Sequence, residues 1–156
     1  SRPLFCSCRS RHWDGTEELL AQSMRHTVLS VTQHGIVPKK MYDKGQFAKD
    51  YSNYQLVHIG DFVMNHMDLL TGWVDISAYE GVTSPDYRVF FNNSPETFDS
   101  DYYKYIFQYC YMNRIFYGLG QGVAGFGRWR LPADMFLNFV LPVPPIDETV
   151  PYRTSF

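Results

Sequence analysis

The sequence has few cysteines, no long hydrophobic run and no strong excess of charge. Its 156 residues include three cysteines, and two of them, Cys6 and Cys8, are separated by one residue. An odd number at this spacing does not make a disulfide framework. No apolar run approaches the roughly 18 residues of a membrane span. No apolar segment follows the N-terminal arginines as it would in a signal peptide. These absences predict a cytoplasmic protein that does not enter a membrane.

Motifs of common catalytic and metal sites are missing as well. No G-x-S-x-G element occurs, and Cys110 falls within an aromatic-rich predicted helix, where packing is its expected role. The five histidines form no H-E-x-x-H array. Cys6, Cys8 and His12 lack the second ligand pair that structural zinc needs. We therefore predict no catalytic residue, no metal site and no cofactor.

One glycine-rich segment matches a nucleotide-binding pattern. Residues 120–125 read G-x-G-x-x-G, which binds dinucleotides when a strand precedes it and a helix follows. Here a predicted helix precedes, and residues 126–132 open a helix poorly. We predict a flexible loop whose glycines allow positive φ angles. An enzyme that uses this loop for a nucleotide stays an alternative.

Composition predicts one globular domain with an uneven charge distribution. Hydrophobic residues make up 45% of the chain, charged residues 19%, and the net charge is −2. Residues 61–101 carry eight acids against one base, whereas residues 102–130 carry four bases and no acid. A local basic face is therefore compatible with the near-neutral total.

Local patterns predict a strand-rich domain with one long helix. Helical spacing of aromatic residues predicts a helix over 101–117, with Asp99 or Ser100 as its N-cap. Residues 14–24 predict a shorter helix. We predict an α+β fold with a twisted, mostly antiparallel or mixed sheet. Its strands are expected at residues 27–32, 54–59, 61–67, 72–77, 87–91 and 137–143.

The segment 127–130 is the strongest candidate for a binding site. In it Arg128 and Arg130 flank Trp129. Arginine is the usual reader of guanine in the major groove, and glutamine, here Gln121, pairs with adenine. Two lysines of another loop would add phosphate contacts, which position without specifying; these are Lys39 and Lys40. Solvated arginines beside a packed tryptophan explain the segment equally well.

Several segments, taken in order, resemble one known family. Residues 29–38 resemble an LSVT-x-x-G-V-x-P opening, and residues 59–67 resemble a strand of the form G-D-hydrophobic-hydrophobic-x-N-x-M. Residues 72–87 resemble G-x-V-x-x-S followed by G-x-x-S-P-x-Y, and residues 127–148 resemble an arginine loop, a strand and a P-P-hydrophobic-x-E close. This order is similar to the target-recognition domains of DNA-specificity (S) subunits in type I restriction–modification systems.

The resemblance implies a non-catalytic module that reads double-stranded DNA. In that family, modification subunits methylate adenine with S-adenosylmethionine, and restriction subunits translocate and cleave DNA with ATP. The resemblance places the five candidates above on or near the DNA face. Three further residues either join that face or hold strands together: Asn65, Ser84 and Tyr87. The acidic residues 61–101 should then face away from DNA.

The resemblance also divides the chain. Residues 28–148 correspond to the recognition domain, residues 1–27 match poorly, and residues 149–156 form a tail. The sequence Val150-Pro151-Tyr152 interrupts any helix, so we expect the long spacer helices of a full S subunit to be missing. The chain would be a half-subunit that needs a second one, or the product of an interrupted gene. A protein-interaction module using the aromatic helix, or a truncated remnant without DNA recognition, is the alternative.

Overall fold

The structure, a computed structural model, describes residues 27–39, 53–92, 94–122 and 129–149. Within these ranges the chain forms nine strands and four helices. The strands are β1 (Val28–Thr32), β2 (Gly35–Pro38), β3 (Gln55–Val57), β4 (Phe62–Met64), β5 (Val74–Ile76), β6 (Gly81–Thr83), β7 (Arg88–Phe90), β8 (Gln121–Gly122) and β9 (Trp129–Arg130). The helices are α1 (Ser100–Met112), α2 (Ile115–Gly118), α3 (Ala133–Leu137) and α4 (Ile146–Thr149).

The strands form two small sheets and a ribbon. The first sheet has the order β2-β1-β6-β3, in which β1 and β6 are parallel and the other pairs are antiparallel. The second sheet is antiparallel, with the order β5-β4-β7. Strands β8 and β9 form a separate antiparallel ribbon. The predicted α+β fold, with mostly antiparallel and mixed pairing, is confirmed.

Strand β4 lies between two hydrophobic cores. Successive side chains of a strand point to opposite faces, and all three residues of β4 are buried. Phe62 and Met64 belong to the core beneath the helices, whereas Val63 belongs to the core shared with the first sheet. The second sheet is thus the middle layer, covered by helices on one side and by the first sheet on the other.

Helix α1 begins as predicted and ends earlier. Asp99 is its N-cap, and the carboxylate accepts a hydrogen bond of 3.0 Å from the Tyr102 backbone N–H. The helix stops at Asn113 because Arg114 adopts a left-handed conformation, with φ 56° and ψ 28°. The single predicted helix over 101–117 is therefore two helices joined by a sharp turn.

The strand predicted over 137–143 is wrong. Leu137 ends α3, and residues 138–145 form no strand in the described part of the chain. Pro142, Pro144 and Pro145 have no backbone N–H to donate to a ladder. The apolar side chains of this segment still pack: the Phe139 ring lies 5.5 Å from the Phe116 ring. The segment therefore covers the core without pairing to a sheet.

Candidate nucleic-acid interface

The ribbon β8–β9 presents two predicted DNA-binding residues together. Gln121 and Arg130 are direct register partners across the ribbon, and partners in an antiparallel pair project from the same face. Both residues are exposed, and no hydrogen bond joins either side chain to another described residue. The structure thus places an amide and a guanidinium side by side on one outward face.

The opposite face of the ribbon is fixed to the body of the domain through Trp129. Its indole N–H donates to the Tyr117 carbonyl at 2.6 Å, and its ring stacks on the Tyr117 ring with centroids 5.5 Å apart. The indole lies so close to Gly120 that a Cβ there would collide with its Nε1 and Cδ1 atoms. Because the indole faces inward, Arg130 is directed away from the core.

The segment 65–69 joins the ribbon to the second sheet. The Leu69 N–H donates to the Trp129 carbonyl at 2.9 Å, and the Leu131 N–H donates to the His66 carbonyl at 2.8 Å. From the helix side, the Tyr111 hydroxyl donates to the Asn65 carbonyl at 2.7 Å. Burial raises the pKa of Tyr111 far above its usual range, so this hydroxyl remains a donor.

His66 lies beneath the ribbon in a positive environment. Burial, together with the charges of Arg88 and Arg130, lowers the pKa of its imidazole from 6.5 to about 4. The ring is therefore neutral near pH 7. Arg130 lies near this segment, because the residues on either side of it, Trp129 and Leu131, bond to Leu69 and His66.

The lowered pKa of His66 predicts acid sensitivity. An unfolded histidine titrates near pH 6.5, whereas the folded one titrates near 4, so the unfolded chain binds more protons between these values. Stability from this residue is complete above pH 6.5 and is lost as pH falls through 4. Chemical denaturation from pH 7 to 4 should show His66→Gln losing about 2 kcal/mol less stability than the unmodified chain. Equal losses in both proteins would contradict the pKa shift.

A pocket of about 390 Å³ gathers four other predicted residues. Lys39 follows β2, Asn65 follows β4, and the turn between β6 and β7 contributes Ser84 and Tyr87. The two sheets meet here, and each contributes part of the wall. Sequence reasoning gave no geometric link between these four residues, which the topology brings together.

Parts of these side chains are used to hold the pocket in shape. The Asn65 Oδ1 atom accepts hydrogen bonds from the backbone N–H groups of Met67 and Asp68. The Ser84 Oγ atom accepts from the Asp86 N–H at 3.2 Å. The Gln55 Nε2 group, from β3, donates to the carbonyls of Ser84 and Tyr87. The side-chain bonds of Asn65 and Ser84 thus stay within their own turns, and it is the Gln55 side chain that ties β3 to the turn between β6 and β7.

Acidic residues also line this pocket, against expectation. Asp68 and Asp86 form part of the same wall as the predicted residues, although the acidic segment was expected to face away from them. Other acids of that segment have local duties: Asp61, which is buried, accepts the His58 N–H at 2.9 Å. Because aspartate is common in turns, the sequence indicated only a turn-forming role for Asp68 and Asp86. Neither they nor Tyr54, which also lines the pocket, carried a sequence signal.

Several sequence predictions fall outside the described residues. They concern the helix at 14–24, the candidates Lys40 and Arg128, the possible zinc ligands Cys6, Cys8 and His12, and most of the glycine-rich loop. The packing role predicted for Cys110 is confirmed, since it is buried among the core residues beneath the helices. Burial raises the pKa of its thiol to about 11. Among the described residues no three His, Cys, Asp or Glu side chains cluster as metal ligands would.

Comparison with known proteins gives no relative. No protein-family model matches the chain, and no curated protein matches its sequence. Within the described ranges, no helix has both the length and the apolar character needed to cross a membrane.

Proposed function

We propose that this chain binds double-stranded DNA sequence-specifically, as the specificity module of a type I restriction–modification system. The exposed Gln121–Arg130 pair on the ribbon is the observation that carries the proposal. The assignment to a type I system rests on the ordered sequence segments that resemble target-recognition domains. In this role the chain performs no catalysis and directs adenine methylation and restriction by partner subunits.

The ribbon suits the major groove physically. That groove admits a two-stranded β-ribbon, and its base edges offer N7 and O6 of guanine to arginine and N6 and N7 of adenine to glutamine. An element that recognises bases must hold its side chains in a fixed geometry, because mobile side chains lose conformational entropy on binding. The inward indole of Trp129 provides that fixation for both strands of the ribbon.

The proposed partners follow from the resemblance. They are double-stranded DNA, the modification and restriction subunits, and a second specificity half-subunit that completes the split site. S-adenosylmethionine and ATP would be bound by those subunits and not by this chain. The proposed setting is the bacterial cytoplasm.

Binding-site selection tests this function directly. The full chain is incubated with a randomised duplex pool, and enriched duplexes are titrated at low and physiological salt. Enrichment of a motif of about three to four base pairs, with affinity that falls steeply with salt, is the expected result. Folded protein that enriches no motif would contradict the proposal.

Removing the ribbon's arginine should weaken and relax recognition. We expect Arg130→Ala to cost about 1–3 kcal/mol of binding to the selected duplex and to lose preference at one base pair. Gln121→Ala should relax a different position. Lys104→Ala is the matched control, because Lys104 lies on α1 over the Tyr105 ring and lines neither ribbon nor pocket. Competition titrations with single-base variants measure each effect, and unchanged selectivity for Arg130→Ala would remove it from the interface.

Protein interaction is the second candidate, and one surface favours it. A groove of about 350 Å³ beside α1 is lined by Leu70, Trp73, Met112 and Arg114, among others. Leu70 is 57% exposed and Met112 is 65% exposed, and exposed apolar side chains gathered in one groove are typical of protein-interaction sites. Binding that survives high salt and needs no DNA would favour this candidate.

A further inference from the structure

The 390 Å³ pocket between the sheets has a composition suited to a flat polar ring. Met67 and two tyrosines, Tyr54 and Tyr87, line its wall, whereas Leu29, also at the wall, is only 1% exposed. Tyrosine faces offer stacking surface to planar rings. The volume lies within the range of small-ligand pockets, and the lining is mainly polar.

Among the described residues of this pocket, the amide nitrogen of Asn65 is one donor that is available to a ligand. The Oδ1 atom is identified by its two bonds from backbone N–H groups, at 3.2 and 3.3 Å, because only an oxygen accepts them. Nδ2 therefore stands on the other side of the amide, and it has no hydrogen-bond partner among the described residues. It can donate to a ligand that carries an unprotonated ring nitrogen.

The carboxylate of Asp86, on the same wall, is an acceptor that is available to a ligand. Asp86 is exposed at the turn that follows β6, and its carboxylate accepts no hydrogen bond from any described residue. The Asp68 carboxylate, by contrast, accepts from the backbone of Leu70 and Thr71 and from the Thr71 hydroxyl. The wall carries two carboxylates and one ammonium group, that of Lys39. It therefore favours a ligand that donates hydrogen bonds and disfavours one rich in phosphate.

We propose that this pocket binds a nucleobase whose exocyclic amine lies beside an unprotonated ring nitrogen, the pattern shared by adenine and cytosine. The amine donates to Asp86, the ring nitrogen accepts from Asn65, and the ring lies among the tyrosines. Hypoxanthine and uracil replace that amine with a carbonyl oxygen, which would face a carboxylate without a proton between them.

The base comes from one of two sources, a free nucleoside or a nucleotide extruded from a duplex. If the ligand is a free nucleoside, the pocket binds it whether or not the protein binds DNA. If the ligand is an extruded base, this inference rests on the proposed function. Segment 65–69 is shared by both features, since Asn65 and Asp68 line the pocket while His66 and Leu69 bond to the ribbon's end.

Matched nucleosides test the site in the full chain. Saturation-transfer NMR and equilibrium dialysis at millimolar ligand should show adenosine and cytidine binding about five- to tenfold more tightly than inosine and uridine. Asp86→Asn should fold, because Asp86 is exposed, and should abolish or reverse this preference, since its amide donates to a carbonyl. Asp134→Asn, on exposed α3, should change nothing.

The outcomes separate this inference from the proposed function. Three results would each overturn the pocket proposal, whether or not the protein binds DNA. They are equal binding of all four nucleosides, absence of binding, and an Asp86→Asn variant that keeps the adenosine preference. If discrimination holds, permanganate reactivity of the thymine opposite an adenine in the selected duplex decides the source. Reactivity that rises with bound protein assigns an extruded base, and unchanged reactivity assigns a free nucleoside. Discrimination in a protein that selects no DNA motif would leave the pocket standing and refute the DNA function alone.

Discussion

Phe107→Ala is expected to lower the free energy of unfolding by about 3–5 kcal/mol. Phe107 is 1% exposed, and its ring meets those of Phe62 and Phe90 edge-on at 5.7 and 5.8 Å. It also lies 5.9 Å from the Phe136 ring and 6.4 Å from the Phe116 ring. Truncation would leave a cavity at the one point where the second sheet, α1, α2 and α3 all meet.

Tyr109→Ala is the matched control for that prediction. Tyr109 lies on the same helix and is 54% exposed, so its loss should change stability by no more than about 0.5 kcal/mol. Urea titration followed by circular dichroism measures both variants. A single domain has roughly 5–15 kcal/mol of stability in total, so this loss is a large fraction of it and should move the urea midpoint clearly. A loss equal to that of Tyr109→Ala would refute the central position of this ring.

The sequence predicted those elements whose signals are local. Gly60-Asp61, between two predicted strands, has the residue types of a turn, and Gly60 has a φ of 94° while the Asp61 carboxylate accepts a hydrogen bond from the His58 N–H. The Asp99 cap and the strands around residues 62–64, 74–76 and 88–90 were predicted by the same kind of local pattern. Each depends on neighbours within a few residues.

Elements that depend on distant partners were missed. Strand β6 is not among the predicted strands because Glu80-Gly81 has the residue types of a turn, yet Val82 pairs with Val28 on one side and with Leu56 on the other. Gly81 is needed there because a Cβ would collide with the Thr27 carbonyl. Strand β2 was missed because Gly35 and Pro38 both indicate loop, although proline is acceptable at a sheet edge.

The candidate site divides in the same way. Residue chemistry alone indicated Gln121 and Arg130, but their pairing across a ribbon depends on the hydrogen bonds of Trp129. The sequence could not show that Asp86 shares a pocket with Asn65, since 21 positions and two strands separate them. The types of the candidate residues could therefore be predicted from the sequence. Which of them share a pocket depends on how the two sheets pack.

Gly120→Ala is expected to detach the ribbon while leaving the rest of the domain folded. The added methyl group would collide with the Trp129 ring and approach the Leu69 Cδ1 atom to 2.9 Å. The indole must move, which breaks its bond to the Tyr117 carbonyl. We expect a stability loss of about 1–3 kcal/mol, typical of overpacking, and at least a tenfold loss of DNA affinity as Arg130 and Gln121 lose their fixed geometry.

Gly118→Ala separates this steric effect from a general effect of replacing glycine. A Cβ at Gly118 meets no atom within 4 Å, and the residue ends α2, where alanine is a better helix former. Its stability and DNA binding should match those of the unmodified chain.

Hydrogen exchange at the Leu69 and Leu131 amides reports the state of the ribbon directly, because these amides bond to Trp129 and His66. Tryptophan fluorescence alone is ambiguous because the chain has three tryptophans. Faster exchange at these two amides with intact exchange at the buried strand β4 is the expected pattern for Gly120→Ala. If DNA affinity stays intact while both amides exchange freely, the ribbon is not the element that reads DNA, and the interface must lie elsewhere on the domain.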